Sequence, residues 1–462
     1  MHLRTVAGAL AALAVLASTA AAISYEGERG LGQQFDLTVR QRAPLVDDPE
    51  VVAYVNGVGK RIAATLDQSY FDYQFAVIRD PRINAFAVPG GYVYVHSGLL
   101  AALRSDDELA AVLGHEIGHV HAHHIVRQQE KSQVLNYTAL LGMLLSVVQP
   151  AVGSLATAAS QAAALQYTRE FEQEADYLGA RYMQAAGYDP RAMLDFFKLL
   201  SDQQRVSPAS APPYLQTHPM SDERLDRLEA VLKTNQWAAR QLPPASMTLQ
   251  RVQALVRAAG EPPADVLTAY RRMRDADPAN PNAQYLYGIV ALETGQLDDA
   301  STALAASEAG HVEGVDRELG RLALRRRDLP EARKRLSDYL ARKPDDAGAQ
   351  VDLAQACEAL GDSACAESAY QRALATAPWL EAAQHGYGQL AGRSGRAGDG
   401  FYHLATAARL NGDYPTALNQ YARAVAQLPN GDARREEAQR WVEVLSGYLK
   451  VPTPSEGTKD EG

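Results

Sequence analysis

The histidine-rich segment near residue 115 has the spacing of a metal-binding site. It reads His115-Glu116-Ile117-Gly118-His119, an H-E-x-x-H motif. Residues i and i+4 lie on one face of a helix, so both imidazoles can reach the same ion. Glu116 is close enough to take a proton from a water molecule beside that ion, and imidazole with carboxylate is a ligand set that suits Zn²⁺. The motif predicts hydrolysis at a zinc centre, with a structural pair of histidines as the alternative.

A third ligand is expected from the acidic helix predicted over residues 169–176. Glu172 and Asp176 are i and i+4 on this helix. One carboxylate of such a pair can bind the metal while the other accepts from a ring N–H of a ligand histidine. Glu174 points about 200° away from Glu172 round the helix. We predict Glu172 as the ligand and Asp176 as the histidine's partner, and Glu174 is the alternative ligand.

The helix that carries the motif needs a defined start. Ser105 followed by Glu108 is a capping box, and the helix is predicted to run from Leu109 to about Gln129. On a continuous helix only His123 extends the stripe of the two motif histidines. We therefore interpret the remaining histidines of this segment as neighbours of the site or surface groups, not as a second metal site: His121, His123 and His124.

The segment before this helix is predicted to contain strands. Residues 75–78 and 92–95 have the β-branched and aromatic content of strands. Gly90-Gly91 predicts a hairpin-like turn between residues 86–88 and the second of these strands. The N-terminal half is therefore expected to mix α and β structure around the zinc helix.

The two ends of the chain predict export and a polar tail. Residues 1–22 combine a basic start, an apolar run at 6–16 and the small residues Ala20-Ala21-Ala22, as in a cleaved signal peptide. An uncleaved N-terminal anchor is the alternative. Residues 451–462 are polar and predicted to be disordered. The net charge of −10 argues against nucleic acid as a partner, because phosphate binding needs a basic surface.

The C-terminal half is repetitive. Two copies share identical internal spacing: Gly361, Ala366, Tyr370, Ala373, Leu374 and Pro378, then Gly412, Ala417, Tyr421, Ala424, Val425 and Pro429. Two looser copies precede them, with a half unit near residues 270–278 and a break in register at 383–400. The pattern is typical of tetratricopeptide repeats, whose stacked helical hairpins bind proteins or peptides. Any alanine-rich helical array is the alternative.

Domain boundaries follow from these patterns. Pro243-Pro244 predicts a boundary, which gives a catalytic domain over 23–245 and a repeat domain over 246–450. Residues 134–165 are predicted to be a lid or a membrane-touching loop, or alternatively buried core helices. Cys357 and Cys365 lie in one predicted hairpin. We expect them either to form a local disulfide or to be two buried thiols.

The combined motifs resemble a known zinc peptidase family. They are the H-E-I-G-H motif, the Glu172–Asp176 pair, and His218-Pro219 followed by Arg224. The family includes the CAAX prenyl endopeptidases, HtpX and BepA-type proteins. With the signal peptide and the repeats, the chain is most similar to the BepA type over nearly its whole mature length. The resemblance implies a mostly helical α+β zincin-like (gluzincin) metallopeptidase domain followed by an all-α tetratricopeptide solenoid.

The resemblance also implies roles for single residues. It assigns the zinc ligands to His115, His119 and Glu172, and the general base to Glu116. It implies that the strand Asn84-Ala85-Phe86-Ala87 lies beside the cleft, where a peptide can add as an extra strand. Three roles are open for His218. It can occupy the fourth zinc position as a latch, donate a hydrogen bond to the oxyanion, or be a structural histidine. Arg224 clamps substrate or forms a salt bridge.

The function expected from the resemblance is that of a periplasmic zinc endopeptidase that degrades misfolded or stalled outer-membrane proteins. The repeats would dock protein substrates or the outer-membrane assembly machinery, with peripheral membrane contact and no nucleic acid. The alternative is a repeat-based assembly chaperone whose peptidase site is mostly latent. A third reading is zinc-dependent hydrolysis of a non-peptide substrate.

Overall fold

The computed structural model describes residues 24–132, 168–206, 212–235 and 245–450. Several predicted segments lie wholly or largely outside these ranges: the signal peptide, the segment 134–165, the arm before His218, the Pro243-Pro244 boundary and the polar tail. Among the helices described, no stretch combines the length and apolar character that a membrane span requires.

The N-terminal half is a small sheet surrounded by helices. Its elements in chain order are α1 (Tyr25–Arg42), α2 (Pro49–Ala63), β1 (Gln74–Ile78), β2 (Ala85–Val88), β3 (Tyr92–His96), α3 (Ser97–Ala102), α4 (Asp106–His121), α5 (His124–Ser132), α6 (Arg169–Ala185), α7 (Arg191–Val206), α8 (Tyr214–Thr217) and α9 (Asp222–Thr234). The three strands that the sequence predicts are confirmed, and α4 carries the H-E-x-x-H motif.

The strands form one sheet in the order β1-β3-β2. β1 runs parallel to β3, and β2 runs antiparallel to β3 with Ala85 opposite Val95. Gly90 and Gly91 both have positive φ, +84° and +92°, a conformation that glycine adopts without strain. β2 is an edge strand, and within the described ranges no other strand pairs with its outer edge.

The predicted single helix over 109–129 is wrong at its C-terminal end. Ser105 caps α4 as expected, accepting from the Glu108 amide at 3.3 Å, but α4 ends at His121. His123 has a left-handed φ of 53°, and its Nδ1 lies 2.8 Å from Glu28 Oε2 on α1. This tertiary contact holds a backbone conformation that ends the helix, and α5 begins at His124.

The C-terminal half is a series of helical hairpins, as predicted. The helices are α10 (Met247–Gly260), α11 (Pro263–Ala276), α12 (Pro281–Glu293), α13 (Leu297–Ala309), α14 (Val315–Arg325), α15 (Leu329–Leu340), α16 (Ala347–Ala359), α17 (Ser363–Thr376), α18 (Glu381–Arg393), α19 (Ala397–Leu410), α20 (Tyr414–Gln427) and α21 (Ala433–Leu449). Cys357 and Cys365 form a disulfide that joins α16 to α17.

The predicted register break at 383–400 is wrong. α18 and α19 begin 34 residues after α16 and α17, at Glu381 and Ala397, so they continue the repeat as a further hairpin. α19 packs along both α18 and α20. Gly388 and Gly400 let α18 and α19 approach closely, because a Cβ on Gly400 would lie 3.0 Å from the Gly388 carbonyl oxygen. The glycine-rich composition thus serves helix packing.

The two halves share a core and an ion-pair cluster. Leu249 and Val252 of α10 belong to the same buried apolar cluster as Val51 of α2. Glu50, also on α2, receives a two-pronged contact from Arg251, with Nε and Nη2 each 2.6 Å from a carboxylate oxygen. The repeat helices are therefore packed directly on α2, which in turn packs on the helix of the H-E-x-x-H motif.

Candidate metal centre

Two helices with small residues at their contact bring the predicted metal ligands together. A Cβ on Gly118 of α4 would lie 2.9 Å from the Ala175 carbonyl oxygen, and one on Gly179 of α6 would lie 2.8 Å from the backbone of Gly114. The backbones therefore touch. Since α4 carries both motif histidines, this close approach places the carboxylates of α6 directly beside them.

Four side chains converge at this contact: His115, His119, Glu172 and His218. The Nε2 of His115 lies 3.0 Å from the Nε2 of His119 and 3.2 Å from the Nδ1 of His218. The Oε1 of Glu172 lies 3.3 Å from the Nε2 of His119 and 3.0 Å from the Nδ1 of His218. All four residues are at least 98% buried.

The spacing of these atoms fits a small tetrahedral cation. Ligands bonded to Zn²⁺ at about 2.0–2.1 Å lie about 3.3–3.4 Å from one another. Four of the separations among these side chains are 3.0 to 3.3 Å, and His115 Nε2 lies 3.6 Å from Glu172 Oε2, so these distances agree to within a few tenths of an ångström. Neutral imidazole and ionised carboxylate are also the donors that zinc binds, so the residues present fit the metal.

Glu116 is fully buried next to this group. Neither of its carboxylate oxygens has a hydrogen-bond partner among the described residues. The Nε2 of His218 lies 3.4 Å from Glu116 Oε1. A buried carboxylate of this kind normally has partners, so Glu116 is placed to accept from a water or a substrate group.

Asp176 and Arg224 lie behind the cluster. Asp176 Oδ1 lies 2.9 Å from His115 Nδ1, as the i, i+4 spacing on α6 predicts. Arg224, on α9, is buried and holds Asp176 through Nε and Nη2, each at 2.7 Å. Its Nη1 also pairs with Glu172. These contacts favour the salt-bridge role of Arg224 over the substrate clamp, because the guanidinium is turned towards these two carboxylates.

The electrostatics keep these carboxylates ionised. Burial raises the pKa of Glu172, but Arg224 and His218 outweigh it, so the pKa lies well below its ordinary value. Burial also raises the pKa of Asp176, and Arg224 with His115 lowers it overall. Burial holds the pKa of His119 well below its usual range, so the imidazole is neutral, as a metal ligand must be.

His218 reaches the cluster from the short helix α8 and the turn that follows it. Its amide donates to the Tyr214 carbonyl at 2.9 Å, and the two rings stack with centroids 4.6 Å apart. Burial lowers the pKa of His218, whereas Glu172 and Glu116 outweigh it and raise the pKa overall. His218 is therefore the fourth side chain of the cluster.

The alternative ligand Glu174 lies outside the cluster. Its Oε2 is 3.1 Å from His124 Nε2 and 2.9 Å from Arg127 Nη1. The His124 ring in turn approaches His119, with the two Nδ1 atoms 2.9 Å apart. Burial lowers the pKa of His124 to about 4. Sequence spacing missed this contact, because it singled out His123 on an unbroken helix.

The predicted substrate strand runs beside the cluster. β2 starts at Ala85, directly after the buried Asn84, and packs against α4. Ala87 and Val88 line the same small cavity as His119 and His124. Of the four predicted residues, Ala87 is the one that shares this cavity with His119, and it lies on the edge strand of the sheet.

Comparison with known proteins identifies this half of the chain. Residues 49–232 match the model of Peptidase family M48. This part of the chain is a domain of that family. The match includes every residue of the four-residue cluster, together with Glu116, Asp176 and Arg224. Hence the cluster that could hold a metal ion lies within the segment that matches this family.

Curated relatives match the M48-family domain and parts of the remainder. The "Putative beta-barrel assembly-enhancing protease" of Vibrio cholerae is 33% identical over 298 residues, 61% of this chain and 60% of that protein. The "Mitochondrial metalloendopeptidase OMA1" of Schizosaccharomyces pombe is 34% identical over 177 residues, 38% of this chain and 51% of that protein. The chain thus spans between half and three fifths of the length of these relatives. Among solved structures, yeast Tom70 covers 65% of this chain and 66% of that chain at 13% identity, with a TM-score of 0.30.

Proposed function

We propose that the chain is a zinc-dependent endopeptidase. The observation that carries this is the buried cluster of His115, His119 and Glu172. Beside it lies the carboxylate of Glu116, which has no hydrogen-bond partner among the described residues. The relatives named protease and metalloendopeptidase support the same activity. Because zinc suits the donor set and the spacing of the cluster, we propose zinc as the metal.

Each residue of the proposed site has a separate role in hydrolysis. Zinc held by the three ligands would supply Lewis-acid activation of the scissile carbonyl and of a water. Glu116 takes a proton from that water and returns it to the leaving amine. Asp176, 2.9 Å from His115 Nδ1, favours a proton on that nitrogen and so leaves Nε2 for the metal.

The substrate is proposed to be extended polypeptide. β2 is an edge strand next to the metal group, and a peptide can pair with such an edge through its main chain. This observation favours a peptide over a small non-peptide substrate. The hairpin array packed against the domain is proposed to dock the same polypeptide or a protein partner.

The biological setting is also a proposal. The N-terminal 22 residues have the composition of a signal peptide, and relatives are named for enhancing β-barrel assembly. We infer that the protein acts in the periplasm on misfolded or stalled outer-membrane proteins and meets their assembly machinery. Peripheral contact with the membrane fits that setting.

One observation favours a second function, a repeat-based chaperone with a latent peptidase site. His218 supplies a fourth nitrogen to the cluster and lies 3.4 Å from Glu116. A metal held by four protein ligands has no position open to water or substrate, whereas catalytic zinc sites keep one open. In this state the site would be closed until His218 withdraws.

Cleavage of casein by zinc-loaded protein separates these functions. The wild type is compared with Glu116→Gln and His218→Ala, and Glu223→Gln, an exposed change on α9, serves as control. Cleavage by wild type and control that is lost in Glu116→Gln supports the peptidase. Cleavage only in His218→Ala supports the latent site. Equal cleavage by Glu116→Gln and wild type would contradict the assigned base.

A further inference from the structure

A chain of side-chain contacts leads from His119 to the protein surface. The outer nitrogen of His119, Nδ1, lies 2.9 Å from Nδ1 of His124. The other nitrogen of His124, Nε2, lies 3.1 Å from Glu174 Oε2. Glu174 in turn accepts from Arg127 Nη1 at 2.9 Å. This series of contacts therefore joins α4, α5 and α6 and ends at the half-exposed Glu174 and Arg127.

The position of His124 is fixed by its surroundings. Its ring is completely buried and stacks on Phe171 with centroids 4.4 Å apart and an interplanar angle of 13°. The Arg127 guanidinium lies 4.8 Å from the centroid of the same Phe171 ring. The left-handed backbone at His123 starts α5 where His124 can turn back towards α4.

The order of donors and acceptors along this series of contacts agrees with metal binding by His119. When Nε2 of His119 faces the metal, its proton is on Nδ1, which donates to Nδ1 of His124. The proton of a neutral His124 is then on Nε2, which donates to the Glu174 carboxylate. Each nitrogen has the role that its neighbour requires, and the opposite tautomer of His124 would set two N–H groups against each other.

The two histidines of the motif are therefore held differently. The outer nitrogen of His115 faces the Asp176 carboxylate at 2.9 Å. The outer nitrogen of His119 faces an imidazole, and the carboxylate lies one step further out. Partners of this kind fix the ring orientation and the basicity of a ligand histidine.

We propose that His124 is a positioning residue that orients His119 for the metal, and that Glu174 sets the tautomer of His124. This inference rests on the proposed metal binding by His115, His119 and Glu172. It assigns a role to a histidine that the H-E-x-x-H motif does not include.

Three substitutions at His124 separate the contacts. His124→Phe keeps a ring against Phe171 and removes both nitrogens. His124→Asn places an amide oxygen on Cγ, where Nδ1 is attached, and so keeps an acceptor for His119. His124→Gln extends towards Glu174 and loses that acceptor. His121→Asn, two residues after His119 and outside the chain of contacts, is the matched control.

The measurement is zinc affinity, by competition with a chromogenic chelator, together with urea unfolding of the chelator-treated proteins. We expect His124→Phe and His124→Gln to weaken zinc binding about 10- to 100-fold, as loss of such partners does. His124→Asn should recover most of the affinity, and His121→Asn should match wild type. Unfolding of the zinc-free proteins shows whether a purely structural effect explains the series.

Two results would overturn the proposal. One is wild-type zinc affinity in His124→Phe. The other is equal affinity of the Asn and Gln variants, which also decides the matter should the Phe variant not fold. Wild-type protein that binds no zinc would remove the metal assignment as well. Zinc binding without any hydrolysis would remove the peptidase and leave the His124 comparison valid.

Discussion

The guanidinium of Arg224 holds the carboxylate of Asp176 side-on, with Nε and Nη2 each 2.7 Å from one oxygen. The same arginine pairs with Glu172, and it is 4% exposed. One cation on α9 thus fixes two carboxylates on α6, of which one is a proposed metal ligand and the other faces His115. The geometry of the cluster depends on a residue that does not face the metal.

Replacing Arg224 should destabilise the domain even without metal. Arg224→Met leaves Glu172 and Asp176 buried without their cation, and the loss of one partner of a buried pair costs about 3–5 kcal/mol. Urea unfolding of chelator-treated protein measures this. Arg227→Met, an exposed change on the same helix, should cost less than about 1 kcal/mol. Equal effects of the two changes would contradict the positioning role.

Metal binding should distinguish the two glutamates of α6. Glu172→Gln removes an anionic ligand from the cluster, so zinc affinity should fall by more than the roughly 10- to 100-fold that loss of an outer partner causes. Glu174→Gln keeps an amide oxygen that can accept from His124, and its affinity should stay within that outer range. Equilibrium dialysis with zinc measures both variants. A larger loss in Glu174→Gln would reverse the assignment.

Local spacing predicted which residues come together, but not how the neighbouring segment turns. The i, i+4 relations of His115 with His119 and of Glu172 with Asp176 depend only on helical geometry, and the structure brings both pairs to one place. The i+5 relation of His119 with His124 requires a broken helix. The break is held by the contact of His123 with Glu28 on α1, which is distant in sequence.

The relation between the halves was equally hidden from the sequence. Hydrophobic period and repeat spacing predicted a helical array after residue 245, and the strands of the N-terminal half follow from their β-branched composition. Neither pattern indicates that Glu50 on α2 meets Arg251 and Arg317 of the array. Such pairs form between surfaces that only the folded chain brings together.

Glu50 should make stability depend on pH. Burial raises the pKa of Glu50, but Arg317 and Arg251 outweigh it and lower the pKa to about 2 from the ordinary 4.5. A carboxyl whose pKa is lowered by folding contributes stability above its unfolded pKa, and this is lost as pH falls towards the folded value. Glu50→Gln should therefore cost several kcal/mol at pH 7, roughly 3–5, and progressively less between pH 5 and pH 3.

Urea unfolding of wild type and Glu50→Gln at a series of pH values tests this. Glu261→Gln removes a partly exposed i, i+4 pair with Arg257 and should cost under about 1 kcal/mol at every pH. A Glu50→Gln difference that stays constant from pH 7 to pH 3 would show that the carboxylate is not linked to the two arginines.

Removal of His218 should open the fourth position of the cluster. In His218→Ala the three other ligands remain, so the zinc content should stay at one ion per chain while casein cleavage rises. A tenfold rise corresponds to a loss of ~1.4 kcal/mol in the free energy that favours the closed site over the open one. Added imidazole can occupy the vacated position, and it should inhibit His218→Ala more strongly than wild type. Gln216→Ala, exposed on the same short helix, should behave as wild type. Lower cleavage in His218→Ala, with zinc still bound, would instead make His218 a donor to the transition state.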